Sequence, residues 1–175
     1  MSTVNPFLQL EGTDHHAAIS VIRNTASAYG SYLILGKSRI ASVGGTTILQ
    51  DNDAIGAIRF AGADGTDMVQ YGGEISVIVD GTPGADSMPG EMIFRTNTGS
   101  GNPSEKLRIT SNGHVRVPDD GKFICGGDSD IKYYHSGGTN YCDIANGQQL
   151  YFRVNGSNKF YVQSVSYTHL RAHET

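Results

Sequence analysis

The sequence predicts an all-β fold of short strands and hairpins. Apolar residues alternate with a period of two, which puts successive side chains on opposite faces of a strand. Asn-Gly, Asp-Gly and Pro-Gly dipeptides break the apolar runs at short intervals, as tight turns require. No amphipathic helical stretch exceeds a single turn. The pattern is clearest over residues 55–117, which run AIGAIRFAG, ADGTD, GEISVIVDG, TPGADSMPG, EMIFRT, NTGSGNPSE, KLRIT, SNG and HVRV.

Taken in order, NPFLQLEG, AAISVIRN and SYLILGKSR read as leading strands ahead of the linker GGTTILQDND. In AIGAIRF, Ile58 and Phe60 share a face opposite Arg59. In GEISVIVDG, Ile75, Val77 and Val79 oppose Glu74, Ser76, Ile78 and Asp80, and the apolar Ile78 implies burial on both sides. A helical turn is expected around residues 67–71, capped by Thr66 or Asp67. Met92 and Phe94 oppose Ile93 and Arg95, and the next inward sets are Leu107 with Ile109 and Val115 with Val117. Asn112-Gly113, Asn146-Gly147 and Asn155-Gly156 each predict a hairpin turn, with the type I′ turn as the geometry that Asn-Gly favours. Pro83, Pro89, Pro103 and Pro118 fall in loops or at strand edges, where a missing N–H interrupts no ladder. The chain divides into a leading strand segment (1–52), a central β module (53–118), a C-terminal β-hairpin segment (119–164) and a tail (165–175).

Composition suits that reading. Apolar residues are 38%, charged residues 17%, Gly numbers 23, and Trp is absent. Such low charge is not that of a disordered chain. A net charge of −4 without a basic run excludes a phosphate-neutralising nucleic-acid surface. No apolar run approaches the roughly 18 residues that span a bilayer as a helix. MSTVNPFLQLEG carries neither a basic n-region nor an apolar h-region, so it is not expected to be a secretion signal.

Candidate chemistry is sparse, and neither a metal nor a cofactor is expected. His15-His16 beside Asp14 reads as a solvated turn, because adjacent strand residues point apart. Asp128 and Asp130 match the start of a calcium loop but lack its third ligand, its Gly and its final Glu. Asp64, Asp67, Asp80, Asp86, Glu105, Asp119 and Asp120 lie almost entirely in expected turns, where Asp bonds its own backbone. A glycosidase instead needs two carboxylates flanking a sugar. GTPGADSMPG lacks the Lys-Ser/Thr of a phosphate loop and reads as a surface loop. Two cysteines, Cys125 and Cys142, cannot alone complete a structural zinc site. One aromatic and polar cluster stands out: Tyr133, Tyr134, His135, Asn140 and Tyr141, with Lys132. It is a possible glycan contact, since aromatic faces stack on sugar rings; the alternative is that the tyrosines pack as ordinary β formers.

Residues 62–117 resemble the shaft and collar segments of bacteriophage tail fibres, upstream of an endosialidase-type intramolecular chaperone domain. The match lies in the order GADGTD, DGTPG, MPG, a strand ending in Thr, and SEKLRIT-SNG-HVRV. NPFLQLEG, AAISVIRN and SYLILGKSR are similar to the leading strands of that module. KFICGGDSDIKYYHSGGTNYCDI with GQQLYFRVNG is similar to a segment common in phages of aquatic bacteria. The resemblance implies a virion structural protein that supports host recognition and attachment. It also implies a homotrimer of elongated, intertwined β structure, made in the host cytoplasm and bound to other tail proteins, with a host glycan or receptor as a further partner. A reducing cytoplasm leaves Cys125 and Cys142 as buried free thiols. The chaperone domain would lie beyond a truncation. A tailspike-type glycan depolymerase and a bacterial surface adhesin are the alternatives, and catalysis is not expected. VSYTHLRAHET, residues 165–175, resembles a translated adapter from transposase-based sequencing libraries, so His169 and His173 count toward no site.

Trimerisation has a physical motive as well. Short Gly-rich strands leave open edges, and a lone hairpin is marginal. A single chain is expected to expose apolar residues among Ile58, Phe60, Val77, Val79, Phe94, Leu107 and Ile109.

Overall fold

The structure, a computed structural model, describes residues 8–14, 17–145, 147–154 and 156–163. Among the described residues it is all-β, with ten short strands, antiparallel pairing throughout and no helix. The strands are β1 (Ala54–Ala61), β2 (Tyr71–Val79), β3 (Gly90–Thr96), β4 (Ser104–Ile109), β5 (Val115–Arg116), β6 (Lys122–Cys125), β7 (Ile131–Ser136), β8 (Thr139–Ile144), β9 (Gln149–Val154) and β10 (Ser157–Gln163). They fall in two compact units, Met1–Arg116 and Val117–Thr175.

The first unit is built on a five-stranded meander in the order β1-β2-β3-β4-β5. Its register follows the alternation in the sequence, with Ile58 opposite Ile75, Ile75 opposite Phe94, and Phe94 opposite Leu107. Leu49, Val79 and Ile93 are its buried apolar residues, and Ser76 and Glu91 are buried with them. The loop after β2 closes on itself through Gly84 and Ser87, each N–H donating to the other's carbonyl. Its residues 84–88 are exposed, as a surface loop should be.

The first unit differs from the sequence-based expectation at three places. No helical turn forms at residues 67–71, because the Asp64 carboxylate accepts from the Thr66 and Asp67 N–H groups and the Asp67 carboxylate from the Val69 N–H. These Asx bonds compete with helix formation, and Tyr71 is drawn into β2 opposite Ala61. The turn at Asn112-Gly113 does close the β4–β5 hairpin, but only Gly113 takes a positive φ (78°). Thr110 N–H bonds the His114 carbonyl and Gly113 N–H the Thr110 carbonyl. The loop is therefore the three-residue kind with a left-handed glycine, not a two-residue type I′ turn. Finally, the described residues ahead of Ala54 form no strand. Among the described residues AAISVIRN and SYLILGKSR join no ladder, and Arg39 N–H bonding the Thr47 carbonyl is the backbone bond they make.

In the second unit, β6-β7-β8 form one sheet and β9-β10 a separate hairpin. Asn146 and Asn155 lie outside the described residues. Gly156 (φ 76°) follows β9, and Val154 pairs with Ser157, which is the expected two-residue hairpin. The Asn146-Gly147 expectation is overturned, since β8 and β9 belong to different sheets. Gln148 N–H bonding the Ala145 carbonyl turns the chain from one sheet toward the next.

Candidate functional site

The two faces of the five-stranded sheet differ sharply in chemistry. One carries a cross-strand row of alternating charge, Glu105, Arg95, Glu74 and Arg59, contributed by β4, β3, β2 and β1 in turn. Glu74 bridges two cations, at 2.8 Å from Arg59 Nε and 2.7 Å from Arg95 Nη1. Arg95 also donates to Ser76, and the Arg59 guanidinium lies 4.6 Å from the Tyr71 ring centroid. The neighbouring row runs Arg116, Arg108, Ile93 and Ser76. Arg108 Nη1 reaches both Glu91 oxygens at 2.6 Å, while Nη2 and Nε hold Glu105. Opposite charges directly across strands stabilise a sheet, as in the first row; Arg108 instead forks onto Glu105 within β4 and reaches Glu91 of β3 off the direct register, and such charge-assisted contacts are the stronger kind of hydrogen bond.

These partners set the protonation of the carboxylates. Burial pushes Glu74 up, but the Arg59 hydrogen bond and the charges of Arg59 and Arg95 outweigh it and hold the group below its ordinary value. The hydrogen bond from Arg108 does the same for Glu105. At the end of β2, Asp80 is lowered by hydrogen bonds from Ser111, which tie that strand to the β4–β5 turn. Asp53 is held lower still, first by Arg39 and then by the Gln50 N–H, with Lys37 adding a contact at 3.2 Å. Expected turn roles hold for Asp64 and Asp67, whereas Glu105 lies in β4 and serves the charged row.

The opposite face is apolar and partly bare. Val115, Ile109, Met92 and Val77 make one cross-strand row; Leu107, Phe94, Ile75 and Ile58 make the next. Phe60 is 57% exposed, Val115 64% and Ile58 44%, with Met92 and Ile109 also exposed. Val77, Phe94 and Leu107 are half-buried. Val79 departs from the expected exposure: it is only 1% exposed, at the end of β2 where Asn52 N–H bonds its carbonyl and its own N–H bonds Asp53. A cleft of about 670 Å³ opens at the other end of the sheet, between Phe60, Gln70, Tyr71, Asn97 and Ser100. Asn97 is already committed there, donating to the Tyr71 and Gly101 carbonyls and accepting from Gly99.

The aromatic cluster expected in the second unit is divided by the pleat. Tyr134 and Tyr141 pair across β7 and β8 and stack at 4.9 Å between centroids, with Lys122 Nζ 4.8 Å from the Tyr134 ring and Asp143 accepting its hydroxyl at 2.7 Å. That hydrogen bond to Asp143 raises the Tyr134 phenol. Tyr133, His135 and Asn140 lie on the other face, where His135 Nδ1 and Asn140 Oδ1 are 2.9 Å apart. Tyr133 sits opposite Cys142, whose hydrogen bond raises its phenol. The five residues therefore do not make one patch. Both cysteines are free as expected, but they are exposed, not buried: among the described residues the three-stranded sheet that carries them is separate from the β9–β10 hairpin. Asp130 packs against Gly126 so tightly that a Cβ there would meet its Oδ2. His15, His16, His169 and His173, and with them residues 165–175, lie outside the described residues.

No protein-family model and no curated protein matches the chain. The charged rows escaped the sequence reading because they appear only once strands are placed in register. Their one signal was a charged residue at the face opposite each apolar set.

Proposed function

We propose that this chain is a segment of a bacteriophage tail fibre: a virion structural element that assembles as a homotrimer and supports display of a host-attachment tip. The observation that carries the reading is the bare apolar face of the five-stranded sheet. Its charged face is satisfied internally by Arg–carboxylate pairs, so the face left needing cover is the one lined by Ile58, Phe60, Met92, Ile109 and Val115. Covering each such side chain is worth about 1.5–3 kcal/mol, and neighbouring copies about a three-fold axis would supply that cover. Extended apolar segments without a ladder of their own support the same reading, as does the tail-fibre resemblance of residues 62–117. Other tail proteins are the further partners, the virion is the location, and a structural role requires no reaction.

The test is mass by light scattering across a range of protein concentrations, paired with thermal melts. A trimer whose melting temperature rises with concentration is expected, and Phe60→Ser should weaken assembly. A compact monomer with a concentration-independent melt would refute the fibre reading.

A further inference from the structure

The sheet of the first unit ends on one side in β5, only two residues long, and on the other in β1, eight residues long. A short edge is self-protecting, whereas a long one offers a row of unpaired N–H and C=O groups to any strand that fits. β1, AIGAIRFA, carries no Pro or Lys, and its single charge, Arg59, is already bound to Glu74. Among the described residues no backbone hydrogen bond joins residues 17–23 to any strand. Yet that run, AAISVIR, is β-branched and free of Gly and Pro, with Ile19 72%, Val21 56% and Ile22 78% exposed.

We infer that β1 takes residues 17–23 of a second copy of this chain as an added sixth strand. Seven residues match an eight-residue edge, and the run is uncharged up to Arg23, as suits a neighbour of Ile58 and Phe60. Alternation puts Ile19 and Val21 on one face and Ser20 and Ile22 on the other, so the added strand would extend the apolar face that begins at Ile58. The chain's own residues 31–39 are otherwise engaged. Leu35 lies against Gly56, its Cβ 2.8 Å from where a Cβ of Gly56 would stand, and Lys37 and Arg39 are anchored on Asp53. The inference rests on the assembly reading above and adds to it the mode of association, strand addition at an edge.

Residue-resolved hydrogen exchange on the full chain tests it, with Val21→Pro and Ile22→Pro as variants. Consecutive N–H groups point to opposite sides of a strand, so one of these two prolines must strike the ladder. In the assembled wild type, the N–H groups of residues 54–61 that point away from β2 should exchange about tenfold or more slowly than in dilute protein, and one proline variant should lose that protection. Continued protection of β2 and β3 in the variant shows that the sheet itself still folds. If the wild type assembles and both variants keep wild-type mass and protection, the strand-addition inference fails while the assembly reading stands. If the wild type is monomeric at every concentration, both fail.

Discussion

Replacing Arg108 with Met isolates the contribution of the charged face. The substitution keeps an unbranched stem beside Ile93, so apolar cover is largely preserved, and removes only the guanidinium. Glu91, 6% exposed, then loses both of its 2.6 Å contacts. Breaking a buried ion pair from one side costs about 3–5 kcal/mol, because the remaining charge stays out of water. Arg108's side chain is 28% exposed, so water already reaches the pair, and a cost of about 2–3 kcal/mol is expected. Glu105, at 26%, is solvated enough to stand alone.

A paired variant separates charge from packing. Glu91→Leu with Arg108→Met removes both charges and should return to within about 1 kcal/mol of wild type, since an apolar pair substitutes well for a buried ionic one. Urea unfolding of the three proteins at one concentration and neutral pH gives the comparison through midpoint and slope. A loss below about 0.5 kcal/mol for Arg108→Met would refute the reasoning, by the measure of an ordinary surface pair. So would a double variant as unstable as the single one.

Acid should unfold the protein through the carboxylates that hydrogen bonds and cations hold low in the folded state. Glu74, Glu105, Asp53 and Asp80 are all lowered in the folded state, so their stabilisation is complete above the unfolded carboxylate range and is lost as pH falls through the folded values. Urea midpoints should be level from about pH 7 to 5 and drop below about pH 4; a midpoint that rises on acidification would contradict the pairing. At the β4–β5 loop, Gly113→Ala should cost about 1–2 kcal/mol from the left-handed backbone alone, because nothing lies within 4 Å of the added Cβ. Gly113→Asn should cost less, as Asn tolerates that region, and equal melts for all three proteins would show that the loop relaxes to another geometry.

Much of the architecture was legible because the period of two is a local property. Ile58 opposite Arg59, and Met92 with Phe94 opposite Ile93 and Arg95, can be separated from sequence alone, and β6 to β10 begin and end near the turns that delimit them. Cross-strand partners are not local. Arg95 can be put on the face opposite Phe94, but its position between Glu105 and Glu74 depends on a register that includes an irregularity between Phe94 and Arg95. The divided tyrosine cluster has the same origin: Tyr133 and Tyr134 are adjacent in the chain and therefore on opposite faces of β7, so proximity in sequence is what keeps them apart in space.

The segment ahead of β1 illustrates the remaining limit of local reasoning. AAISVIRN has every propensity of a strand, yet a strand is defined by a ladder, and the described residues supply none for it. Propensity reports that the backbone can extend and that β-branched side chains fit a pleated surface; it does not say which edge receives them. The sheet meanwhile leaves one long edge and one apolar face open on the side of Ile58 and Phe60. An edge and a strand that each lack a partner among the described residues are the pair that the proposed strand addition would join. The same local pattern that misplaces residues 17–23 within a monomer is thereby the reason to look for their ladder in a neighbour.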